Sequence, residues 1–277
     1  MSECRGQYFS ENSSLNRIAL FNPLQFSYGI VLYEVVRVQE GICLFLEDHL
    51  ERLQESIQLS SLDYQINSPL IQNILKELIS QNGFRSGNIK IMVHVKPGLP
   101  PCYYTYFIPH FYPASKLYRQ GVDTALFKTV RINPNVKIFH SDVRNALNRF
   151  MNTRKLYEVL LVNENEFLTE GSKSNVFFIQ GQEIITPPAE QVLKGITRKK
   201  VFELCNQLNF KLIERSISTV QLTDFEAAFL SGTSPKILPI RKIGSIGYSP
   251  AHPIINSLTV AYNELLDVYI QYRLNAV

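Results

Sequence analysis

Thr169-Glu170-Gly171-Ser172-Lys173-Ser174-Asn175-Val176-Phe177-Phe178-Ile179 sets a carboxylate at the foot of a small-residue turn and follows it with an apolar, β-favouring run. The pattern predicts an acid at the end of one strand, a tight reversal facing a cleft, and a second strand from Asn175 to Ile179. Such a turn suits chemistry. Glu170 equally suits a solvated acid that closes a hairpin, and the stretch alone leaves both readings open.

Working outward, Glu158 to Val162, Phe167 to Thr169 and Glu183 to Thr186 read as further short strands, punctuated by Asn163-Glu164-Asn165-Glu166 and Gln180-Gly181-Gln182. Pro187-Pro188 leads into Leu193-Lys194-Gly195-Ile196-Thr197, after which Val201, Leu204, Cys205 and Leu208 recur at helical spacing. A last helix is predicted from about Pro253 to Leu274, burying Leu258, Ala261, Tyr262, Leu265 and Tyr269. Upstream, Val122 to Ile132 is strand-like, Asn133-Pro134-Asn135 interrupts it, and Ser141-Asp142 can cap a helix reaching about Lys155. Lys137 lies between that break and that cap, flanked by Val136 and Ile138-Phe139, which can bury its stem.

Nearer the start, Ile30 to Val38 predicts a long strand, Gln39-Glu40-Gly41 a tight turn, and Ile42 to Leu46 the returning strand. A helix opens at Glu47 or Asp48, with Leu50, Leu53 and Ile57 on its apolar face and His49 and Arg52 flanking it. Ser68-Pro69 starts another helix and Gly83 stops it. Ile89 to Val95 and Tyr103 to Ile108 are two more strands. The fold class is therefore α/β of the α+β type, in two domains: 1–112, a linker at 113–121 where the regular pattern lapses, and a larger strand-rich domain at 122–277.

The 277 residues suffice for one or two domains, and 45% apolar residues for sizeable cores. Lys and Arg outnumber Asp and Glu by only 28 to 24, with no like-charge block longer than Arg198-Lys199-Lys200, so neither nucleic acid nor a membrane is an expected partner. The four cysteines lack paired spacing, and no metal site is read from them. Polar residues follow Met1 and no run of about 18 apolar residues occurs, so a cytoplasmic protein is expected.

Three further features join the Glu170 turn. Gly195-Ile196-Thr197 at a helix start offers N–H donors and a positive dipole end to an anion. Ser231-Gly232-Thr233-Ser234 offers a second small-residue nest. Each string by itself also fits an ordinary cap or turn. Lys137 stands 33 positions before Glu170. The ordered set, spread from about Tyr28 to Ile243, resembles the class IV aminotransferases, the fold type IV pyridoxal-phosphate enzymes.

The resemblance implies a homodimer that binds pyridoxal 5′-phosphate in the cleft between its two domains. Counting back from Thr169-Glu170-Gly171 to the family's cofactor lysine arrives at Lys137 when one inserted residue is allowed between Asn163 and Glu166, with Glu158 at an acidic position between them. Glu170 then faces the pyridine nitrogen, beside Ser174 and Asn175. Leu193, Ile196, Thr197, Gly232 and Thr233 also bind the cofactor, with Ile196, Thr197 and Thr233 around its phosphate and Arg52 of His49-Leu50-Glu51-Arg52-Leu53 adding charge. Arg52 alone reads as a helix-surface arginine. On the substrate side Tyr33 keeps the pocket aromatic, while Val95-Lys96-Pro97-Gly98 replaces an Arg-Gly pair, leaving Lys96 as the substitute cation.

The implied reaction moves an amino group between an amino acid, of branched-chain or D-amino-acid type, and a 2-oxo acid. The same lysine and electron sink also serve a lyase that releases pyruvate from aminodeoxychorismate to leave 4-aminobenzoate. A third reading is a binding protein of the same fold without catalysis.

Overall fold

The computed structural model describes residues 3–129, 133–138 and 141–275, in two units. The first holds residues 3–111, 136–138 and 267–275. Its strands and helices are β1 (Arg5–Glu11), β2 (Ser14–Arg17), β3 (Ile30–Gln39), β4 (Ile42–Cys43), α1 (Leu46–Leu59), α2 (Ser68–Asn82), β5 (Ser86–Val95) and β6 (Cys102–Ile108). The strands form one sheet in the order β2-β1-β6-β5-β3-β4.

Side chains alternate across β3. Leu32, Val36 and Val38 turn toward α1 and α2, where Leu50, Leu53, Ile57, Ile71, Leu75 and Leu78 close the larger core of this unit. Val31 and Tyr33 turn the other way, into an aromatic cluster with Phe9, Phe21, Met92, Tyr104 and Tyr106. Each fully buried aliphatic side chain contributes about 1.5–3 kcal/mol relative to exposure.

Several local expectations shift. β1 and β2 lie in a stretch whose polar composition concealed them; they pair through Tyr8↔Arg17 and Phe9↔Asn16, and β1 also pairs with β6. Phe45 turns left-handed at φ 51°, so β4 ends at Cys43 and α1 begins at Leu46. The α2 cap is the Asn67 side chain, which accepts the Leu70 N–H at 3.0 Å, leaving Ser68 inside the helix. Gly83 ends α2 at φ 66°.

The second unit holds residues 112–129, 133–135 and 141–266. Its elements are α3 (Ser115–Gln120), β7 (Val122–Lys128), α4 (Ser141–Arg154), β8 (Glu158–Val162), β9 (Phe167–Gly171), β10 (Asn175–Gln180), β11 (Glu183–Thr186), α5 (Ile196–Gln207), β12 (Lys211–Glu214), β13 (Ile217–Ser218), β14 (Ala227–Gly232), β15 (Lys236–Ile243), β16 (Ile246–Gly247) and α6 (Pro253–Asn275). The sheet runs β12-β11-β10-β14-β15-β7-β8-β9-β13, with β16 on β15. Parallel pairs need a long crossover, and two helices supply it: α4 between β7 and β8, and α5 between β11 and β12.

Within the stretch read as a linker, Ser115–Gln120 is helical and packs against β15. Two segments placed by sequence in the second domain, 136–138 and 267–275, cluster with the first unit. The end of the strand predicted to reach Ile132, the flanking Phe139 and the capping side chains of Ser141 and Asp142 lie outside the described residues. α6 buries Ile254, Ile255, Leu258, Tyr262, Leu266 and Ile270, whereas Ala261, Leu265 and Tyr269 are half-buried. The four-residue step from Leu258 carries the stripe to Leu266, one position past the expected Leu265.

Candidate active site

Each unit gathers its own share of the predicted residues. In the first, β5 flanks β3 on one side, while β4 pairs only with Val38 and Gln39. At Leu32 and Tyr33, β3 also meets residues 137–138. Leu32 bridges Ile138, and the Tyr33 N–H donates to the Lys137 carbonyl at 3.1 Å. Val136 is buried in the core under α1 and α2. Lys137 is thus held by backbone pairing on both counts, and its Nζ lies 5.2 Å from the Tyr33 ring centre.

One residue along, Glu34 points to the other face and is fully buried. Its Oε1 accepts the Arg52 Nε–H at 2.7 Å and its Oε2 accepts from Arg52 Nη2 at 2.6 Å and from His49 Nδ1 at 2.7 Å. Burial alone would raise the Glu34 pKa, but Arg52 and His49 outweigh it and hold the carboxyl well below the usual range. Burial lowers the His49 pKa; the pull of Glu34 opposes this, and the charges of Arg52 and Lys137 reinforce it. Ionised Glu34 only accepts, so neutral His49 carries its proton on Nδ1. His49 and Arg52, expected at the flank of the helix, are 2% and 6% exposed because this carboxylate draws them inside. Nε and Nη2 of Arg52 are engaged by Glu34.

In the second unit, Glu170 lies within β9, 3% exposed, and its Oε2 accepts the Leu193 N–H at 3.0 Å. Asn175 Nδ2 donates to the Leu193 carbonyl at 2.8 Å. The acid and the amide therefore hold Leu193 through both of its main-chain polar groups. Asn175 also pairs with Ser231 across β10 and β14. A Cβ on Gly195 would stand 2.1 Å from Asn175 Oδ1, and one on Gly232 would stand 3.5 Å from the Lys173 carbonyl. The Glu170 turn, the start of α5 and the end of β14 consequently meet at one place.

Beneath this turn, Glu158 accepts the Lys173 N–H at 2.5 Å and the Ser172 hydroxyl at 3.2 Å. Burial raises its pKa, and those donors counter part of the shift. Ser174 is buried beside it, and a Cβ on Gly171 would meet Ser174 Oγ at 2.3 Å. Lys96 follows β5, half-buried, with its carbonyl accepting from Leu99.

Sequence reasoning missed two residues. Glu34 interrupts an inward-facing apolar row, Leu32, Val36 and Val38, and that break in the pattern is its one local signal. Lys90 was passed over in β5, where Ile89, Ile91 and Val93 face the core and Lys90 shares the opposite face with Met92. β5 brings Lys90 to the Tyr33 ring, 5.0 Å from its centre.

Residues 31–243 match the family described as amino-transferase class IV. The chain belongs to this family. Class IV aminotransferases are pyridoxal-phosphate enzymes, and this chain is one of them. Among curated relatives, D-alanine aminotransferase of Bacillus licheniformis is 25% identical over 256 residues, covering 87% of this chain and 90% of the relative. Aminodeoxychorismate lyase of Bacillus subtilis is 23% identical over 265 residues, covering 88% and 86%. The branched-chain amino acid aminotransferase of Escherichia coli shares the fold, with a TM-score of 0.85 at 19% identity over 95% of both chains.

The residues of this class IV aminotransferase suit the cofactor. Gly195 caps α5 without a side-chain hydrogen bond, so no side chain of the cap answers the first N–H groups of the helix. Ser231 is 1% exposed and its Oγ has no hydrogen-bond partner. An orphan hydroxyl beside an uncapped helix start is a donor set that suits a phosphate. No helix among the described residues is long and apolar enough to cross a membrane.

Proposed function

We propose that this protein transfers an amino group between an amino acid, of branched-chain or D-amino-acid type, and a 2-oxo acid, with Lys137 as the lysine that carries the cofactor. The observation that supports it most is the pairing of residues 137–138 on β3, which holds Lys137 at a fixed position with its ammonium over Tyr33. When bound, pyridoxal phosphate supplies an aldehyde that captures amino groups and a ring that draws electrons from the substrate α-carbon. Lys137 Nζ moves the proton at that α-carbon. Glu170 holds a proton on the ring nitrogen, and the Leu193 N–H, its residue fixed in turn by the Asn175 amide, orients the carboxylate for it. The N–H groups of Ile196 and Thr197, the Gly232-Thr233 turn and the charge of Arg52 bind the phosphate. Tyr33 and Lys96 meet the substrate. The family resemblance extends the proposal to a cytoplasmic homodimer.

Two measurements test it. Borohydride reduction followed by peptide mapping should leave the pyridoxyl group on Lys137; finding it on Lys173 or Lys194 overturns the assignment. Cofactor-loaded protein assayed against L- and D-amino acids, with pyruvate or 2-oxoglutarate as acceptor, should consume an amino acid and yield its 2-oxo acid. Release of pyruvate from aminodeoxychorismate with no amino transfer would make it the lyase instead.

A further inference from the structure

One aromatic ring, that of Tyr33, carries two ammonium groups. Lys137 Nζ is 5.2 Å from its centre and Lys90 Nζ 5.0 Å, so the two charges lie within about 10 Å of each other. The Lys90 side chain is 4% exposed, and a lysine so buried needs an anion. Glu3 provides it from the segment ahead of β1, with Oε1 accepting from Lys90 Nζ at 2.7 Å and from the Tyr106 hydroxyl at 2.5 Å. Burial and the Glu3 charge push the Tyr106 pKa far upward, so the phenol remains a donor. Cys4, 4% exposed in the aromatic cluster, pins the segment, while the Glu3 side chain itself is 41% exposed. A carboxylate reached by solvent thus occupies a receptor made of a buried ammonium and a phenol. A carboxylate on a substrate side chain would need the same donors.

We propose that Glu3 is a specificity-determining residue: by holding Lys90 and Tyr106 it denies them to a second carboxylate, so the site takes amino and 2-oxo acids with apolar side chains in preference to dicarboxylic ones. The inference rests on Lys137 being the cofactor lysine, since that puts the reacting carbon near the Tyr33 ring. The distance to Lys90 is one that a side-chain acid a few bonds beyond the α-carbon can span. Glu3→Gln keeps the shape and hydrogen-bonding capacity of the plug but leaves the Lys90 charge to be claimed by another anion.

The test compares calorimetric binding of glutarate and isovalerate to cofactor-loaded protein, alongside kcat/KM for 2-oxoglutarate and 4-methyl-2-oxopentanoate. The unaltered protein should bind isovalerate more tightly than glutarate; the reverse order overturns the proposal without any variant. Glu3→Gln should tighten glutarate about tenfold or more, the scale of a charge-assisted contact, with isovalerate unchanged within about twofold. Adding Lys90→Met should abolish that gain. Equal glutarate binding in the unaltered and Glu3→Gln proteins, or a gain that survives Lys90→Met, overturns it. Binding of the two acids reads Glu3 independently of turnover, so loss of amino transfer with every acceptor would count against the proposed reaction and leave this comparison standing.

Discussion

Glu170 is almost wholly out of water and already bound to the Leu193 N–H, so glutamine in its place keeps an acceptor for that N–H and removes only the charge. The cofactor should remain bound in Glu170→Gln. Turnover should fall by about 10²-fold or more, because a charge that favours the protonated ring acts in the transition state for α-proton removal. A hairpin acid would respond otherwise: stability would move by about 0.5 kcal/mol and rate hardly at all. Steady-state kinetics on folded, cofactor-loaded protein decide between them. Glu34 is a different kind of acid, since it holds two basic side chains inside the first unit. Glu34→Gln leaves Arg52 buried beside a neutral amide and should cost about 3–5 kcal/mol in denaturant unfolding. A loss below about 1 kcal/mol would mean that Arg52 finds water or another anion there.

Among the elements, α5 is sensitive to a single methyl group at its start. Gly195 precedes its first turn with φ −63°, a conformation open to any residue, so glycine is required here by space and not by backbone freedom. A Cβ would be 2.1 Å from Asn175 Oδ1, so Gly195→Ala must shift either the amide that holds Leu193 or the first turn of the helix. Phosphate affinity should suffer more than folding. Equilibrium titration with pyridoxal phosphate should show at least about tenfold weaker binding, while the melting temperature without cofactor falls by only a few degrees. Unchanged affinity would remove the α5 start from the phosphate site.

For the whole molecule, the buried histidine gives stability a definite pH slope. The His49 pKa is depressed in the folded protein from an ordinary value of 6.5, so the unfolded chain binds the extra proton first as pH falls. The His49 contribution is present above about pH 6.5 and is lost toward the lower folded pKa, with a slope of at most about 1.4 kcal/mol per pH unit. Glu34, depressed far into acid, adds no slope in that window. Denaturant unfolding between pH 7 and 5.5 should therefore be steeper in the unaltered protein than in His49→Gln. Parallel pH profiles would show that His49 is protonated in the folded state as readily as in the unfolded one.

Much of this molecule could be read along the chain because strand alternation, helical spacing and turn chemistry act over a few residues. β3, α1, α5 and the Glu170 turn each declare themselves that way, and the ordered family motifs named the fold and the cofactor. The α6 stripe drifted by one position because small phase errors accumulate along a long helix. β1 and β2 stayed hidden because half-exposed strands in a polar stretch bury little that hydropathy can detect. Only the tertiary structure decided that Arg52 and His49 are inside and that Lys90 is neutralised. Burial of a charge depends on whether an opposite charge arrives from elsewhere, and here Glu34 lies 18 residues from Arg52 and Glu3 lies 87 residues from Lys90. Local pattern carries no information about such pairings, since the desolvation cost and the Coulomb gain that settle them exist only once the chain has folded.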